Sequence, residues 1–89
     1  MTGDEQMSMV LTLLEEYRLA VEQNPLRVWR RINIISAAEC ANILRTTPST
    51  LMKWEGGTLP NNEAMRRIAA LTQNPNIAAE WEEWERNLP

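Results

Sequence analysis

Residues 36–60 read SAAECANILRTTPSTLMKWEGGTLP, two capped helices with a tight break between them and a glycine stop, all within one short stretch. Ser36 is a good N-cap, its hydroxyl placed to accept from the backbone N–H of Glu39 while the Glu39 carboxylate reaches back. Ala37, Ala38, Cys40, Ala41 and Leu44 then continue a short helix, with Cys40, Ala41 and Leu44 on one face. Thr47 followed by Pro48 supplies a second N-cap with proline at the first helical position, where a missing N–H costs nothing. The residue before a proline is pushed out of the α region, so Thr47 also enforces the break. The second helix sets Leu51 and Trp54 on one side, leaves Ser49, Thr50 and Lys53 toward the other, and ends at Gly56-Gly57.

These residues resemble the Cro/repressor (Xre-type) helix-turn-helix family of DNA-binding proteins. The resemblance is carried by Ile35-Ser36, Glu39-Cys40-Ala41, Leu44, Thr47, Thr50-Leu51, Lys53-Trp54-Glu55, Gly57 and Pro60, and it extends more weakly over residues 25–72. The Trp-Glu-x-Gly-x-x-Pro ending is its most specific part, because a generic helix pair has no need of that punctuation. What the resemblance implies is a recognition helix over residues 47–55 lying in the DNA major groove. Ser49, Thr50 and Lys53 would then approach base edges, and Arg31, Ser36, Arg45 and Thr47 would hold phosphates. It further implies a pair between Glu55, near the end of that helix, and Arg30 of the family's first helix, with Cys40, Leu51 and Trp54 as structural residues.

The chain departs from the family pattern within its DNA face. Ala37 stands where such proteins often carry a glutamine, and Pro48 and Ser49 stand where longer amide or basic side chains are common. Arg45 replaces the usual turn glycine, so the backbone there either avoids positive φ or accepts strain of order 1 kcal/mol. Base reading is expected to be modest, and useful specificity to require two protomers on a palindromic site.

The rest of the chain bounds this reading. With 89 residues there is room for one small domain. The net charge of −3 is unevenly spread: −4 over residues 1–24, +3 over 25–60, +1 over 61–75 and −3 over 76–89. Positive charge therefore collects on residues 25–60, from Arg27, Arg30, Arg31, Arg45 and Lys53 against Glu39 and Glu55, where a phosphate-binding face needs it. A single cysteine and no histidine exclude an internal disulfide and a plausible zinc set, and Cys40 reads as buried and structural. Without histidine, a phosphate-cradling glycine loop or a nucleophile beside a base, no catalytic site, cofactor or metal is expected. No apolar run reaches the length of a membrane span and the first residues are acidic, so the expected location is the cytoplasm.

Helical periodicity continues on both sides. An extra N-terminal helix is expected over about residues 5–23, with Met7, Val10, Leu11, Leu14, Tyr17 and Val21 along a wide apolar face and Leu13 and Leu19 outside it. Asn24-Pro25 caps a short helix reaching Ile32; Met65, Ile68, Ala69 and Leu71 form the inner face of a helix after Pro60. Asn74-Pro75 is expected to cap a last helix ending near residue 88, with Ile77, Trp81, Trp84 and Leu88 on one side. The fold expected is all-α, a compact, lambda-repressor-like five-helix domain around a core at 25–73. The function expected is sequence-specific binding of double-stranded DNA by a homodimeric transcriptional regulator. The competing expectation is a protein-interaction module on the same fold, a phage accessory factor or an antitoxin, with Trp81 and Trp84 as a docking anchor.

Overall fold

The computed structural model describes residues 3–89 and, among them, the side chains of Met7 and of every residue from Met9 onward. The described residues are all-helical: α1 (Gly3–Glu22), α2 (Pro25–Asn33), α3 (Ala37–Ile43), α4 (Pro48–Glu55), α5 (Asn62–Thr72) and α6 (Ile77–Arg86). That is six helices, one for each helical segment read from the sequence, so the expected total of five was one short. Asn24, fully buried, separates α1 from α2 by accepting the N–H groups of Leu26 and Arg27 at 3.0 and 3.1 Å. Ile34, at φ 53°, ends α2 by turning the chain left-handed before α3.

Of the other caps read from the sequence, two form and one fails, and the structure adds one at Asn61. Ser36 accepts from the Glu39 N–H at 3.1 Å and Thr47 from the Thr50 N–H at 3.2 Å. Asn61 caps α5 by accepting from the Ala64 N–H at 2.8 Å. Asn74-Pro75 does not open α6. Asn74 accepts the N–H of Asn76 and donates to Glu80, forming a turn that delays the helix to Ile77.

The core is assembled from α2 to α6. Leu26, Cys40, Ala41, Leu44, Leu51, Met65, Ile68, Ile77 and Trp81 form one buried cluster, with Trp29, Ile35, Ala37 and Trp54 packed against its margin. Trp81 and Trp84 meet edge to face with centroids 6.1 Å apart. The Trp84 indole N–H donates to the Ala20 carbonyl at 2.7 Å, and the Tyr17 hydroxyl donates to the Gly56 carbonyl at 2.7 Å. These two bonds hold the C-terminal end of α1 on the body. Upstream, its large apolar residues are exposed, and the molecule measures 50 × 24 × 22 Å. Among the described residues no helix is long and apolar enough to cross a membrane.

Candidate nucleic-acid interface

The candidate interface is built on the α3–α4 pair. The two helices share Cys40, Ala41, Leu44 and Leu51 in the core, which fixes their inner faces and so decides what points outward. α3 ends with the Thr46 N–H bonded to the Ala41 carbonyl at 2.9 Å and the Arg45 N–H to that of Asn42 at 3.2 Å. This double closure demands a left-handed residue in the turn, and the chain puts Arg45 there at φ 59°. Of the two alternatives open to Arg45, the backbone takes strain. α4 closes the same way, Thr58 to Lys53 at 3.0 Å and Gly57 to Trp54 at 3.2 Å, but Gly57 occupies the positive-φ position at 124° without penalty.

A buried ion pair sets the far end of α4. Arg30 donates from Nε and Nη2 to the two Glu55 carboxylate oxygens, both at 2.7 Å, and from Nη1 to the Ile35 carbonyl at 3.2 Å. The Arg30 and Glu55 side chains are 14% and 2% exposed, so water competes little for either. The hydrogen bond to Glu55 raises the Arg30 pKa further above its ordinary value, against the opposing effect of burial. The planar fork ties α2, the loop before α3 and the last residue of α4 into one unit.

With that frame fixed, the residues expected to face DNA separate into groups. Ser36, Arg31, Arg45, Thr47, Pro48, Ser49 and Lys53 are exposed. Thr50 is half-buried, and its hydroxyl lies 3.0 Å from that of Thr47, engaged within the cap. Ala37 packs against the core margin. Met52 was not anticipated: it is 64% exposed, one helical turn beyond Ser49 and beside Lys53. The i, i+3 spacing from Ser49 was the signal, masked because methionine reads as a core residue.

An open cleft of about 590 Å³ is lined by Glu22, Arg27, Arg30, Arg31, Ile34, Ile35, Ser36 and Glu39. Arg30 is committed to Glu55, and the other two arginines of the lining, Arg27 and Arg31, are balanced there by Glu22 and Glu39. Cys40 is fully buried, and desolvation pushes its thiol up to about 11 despite the nearby Arg30 charge, which favours a structural, unreactive group. Trp81 is fully buried and Trp84 half-buried, so α6 turns its indoles largely inward. Among the described residues no group of three or more His, Cys, Asp or Glu could hold a metal ion.

No family model matches the chain, and no curated protein or solved structure shows significant similarity to it.

Proposed function

We propose that the protein binds double-stranded DNA through a lambda-repressor-like helix-turn-helix made by α3 and α4, and regulates transcription as a homodimer. The observation that carries this reading is the outer surface of α4, where Ser49, Met52 and Lys53 stand exposed together while Leu51 and Glu55 anchor the helix from below. Ser49 offers a hydroxyl to either donors or acceptors on base edges, Lys53 favours a guanine O6/N7 or a phosphate, and Met52 suits a thymine methyl. Arg31 and Arg45, both exposed, serve as phosphate contacts, with Arg27 beside Arg31 in the cleft. Thr47 and Ser36 serve mainly as caps that aim the helix starts. Thr50, bonded within the cap, contributes less to base reading than its position suggests.

Titration of generic duplex DNA at two salt concentrations tests the class, and selection of bound sequences from a random duplex pool yields the operator. On that operator Lys53→Glu is expected to weaken binding by about 1 to 3 kcal/mol. Unchanged affinity would mean that α4 is not the recognition helix. Absence of binding to any duplex at low salt would transfer the fold to protein interaction, the reading that its acidic flanks favour.

A further inference from the structure

The chain exposes more surface than one molecule of its size should. Its accessible area is 6246 Å² at 10.3 kDa. A folded monomer of that mass is expected to expose about 5,400 Å². Its radius of gyration is 15.2 Å, against about 12 Å for a compact chain of this length. Most of the large apolar side chains left exposed lie on α1. Met7, Val10, Leu11 and Leu14 are 65%, 54%, 60% and 60% exposed, and Leu13 and Leu19 are exposed on the other sides of the same helix. Helices apolar nearly all round are normally buried, and an amphipathic helix draws most of its stability from packing that face.

We infer that α1 is the homodimer interface, packed against α1 of a second copy of this chain. Three features select that occupant. The excess area, about 850 Å², is of the size of the roughly 800 Å² that one partner contributes to a standard interface. Upstream of the part of α1 that docks on the body through Tyr17 and Ala20, Met7, Val10 and Leu14 follow the i, i+3, i+7 spacing of a coiled-coil seam, which an identical helix fills with the same side chains. Glu15 and Glu16 lie off that seam, so pairing leaves their charges in water. The alternative surface, α6, has its tryptophans turned into its own core and shows mainly acids outside. The inference stands on area and pattern and holds whether or not α4 reads DNA.

Sedimentation equilibrium of the full chain, without DNA, tests it. The wild-type protein is expected to have twice the monomer mass at tens of micromolar. Val10→Glu combined with Leu14→Glu is expected to weaken self-association by roughly a hundredfold or more. Near-UV circular dichroism checks that the body stays folded, since all four tryptophans lie outside α1. Glu83→Arg on the outer face of α6 should leave the dimer intact. A monomeric wild-type protein overturns the inference, and so does a double variant that remains dimeric or an α6 variant that alone dissociates it. Because DNA is absent, failure here is separate from failure of Lys53→Glu to alter operator binding.

Discussion

Replacing Arg45 with glycine should make the protein more stable and a poorer DNA binder. At φ 59° the arginine occupies a conformation that costs an L-residue about 1 to 2 kcal/mol, whereas glycine adopts it freely. Glycine also loosens the unfolded chain, which offsets about 0.4 to 1 kcal/mol of that gain. The bonds that close the turn, Thr46 to Ala41 and Arg45 to Asn42, are backbone bonds and survive the substitution. The expected net gain is about 0.5 to 1 kcal/mol, or a rise in Tm of about 3 to 6 °C for a domain of this size. The Arg45 side chain is exposed and forms no ion pair among the described residues, so no packing loss opposes the gain. Removing a phosphate contact should also reduce the slope of log affinity against log salt by about 1 per protomer. Thermal unfolding followed by circular dichroism reads the first effect, and duplex titration over a salt series reads the second. Arg45→Ala separates them, since it loses the charge but keeps the strained backbone. A Tm for Arg45→Gly equal to or below wild type would refute the strain argument, and an unchanged salt slope in both variants would remove Arg45 from the phosphate face.

Two further outcomes follow from buried groups. Glu55→Leu alone strands the Arg30 guanidinium and should cost about 3 to 5 kcal/mol, enough to unfold much of a small domain, whereas Arg30→Met with Glu55→Leu should recover most of it. Urea unfolding measures both, and a loss below about 1 kcal/mol for Glu55→Leu would show that the pair is better hydrated than its 14% and 2% exposures indicate. Cys40 has a pKa raised from 9.0 to about 11 by burial, so the folded state keeps its thiol proton after the unfolded state has lost its own. That contribution to stability is fully present below pH 9 and is lost as pH rises through 11. Cys40→Ala should flatten this part of the stability profile, and an unchanged profile would locate the alkaline loss in another group.

The α3–α4 segment was legible because its signals are local. Ser36 and Thr47-Pro48 act through bonds to residues three positions away, so their sequence spacing is their structural spacing. Asn74-Pro75 misled because the same asparagine oxygen can cap a helix or close a turn two residues on. Here the bond to Asn76 wins, and α6 starts late. The face of α1 was read correctly as apolar, but periodicity says that a stripe exists and not what covers it. Leu14 and Trp81 illustrate the limit: both were read as apolar-face residues, yet one is 60% exposed and the other fully buried. Which of them is covered depends on tertiary docking. Ile34 was equally out of reach, since nothing in a β-branched residue announces a left-handed conformation at 90% exposure.

The polar contacts at the end of α4 explain how one short helix can be held accurately in so small a body. Three points converge on three successive residues: Arg30 of α2 grips Glu55, Tyr17 of α1 donates to the Gly56 carbonyl, and Gly57 turns the chain away. A core of apolar side chains fixes how deeply a helix sits more strongly than its direction, because dispersion contacts tolerate small rotations while a forked ion pair does not. The pair therefore supplies the directional constraint, at the expense of one arginine that could otherwise have faced phosphate. Tyr17 extends the constraint to α1, so the helix proposed to join two copies is bonded to the same end of the helix proposed to read DNA. In the proposed DNA-bound dimer, with so few base-reading side chains on α4, the separation and orientation of the two recognition helices would be a main source of operator selectivity. That geometry runs through Tyr17 and Gly56 rather than through any residue on the DNA face.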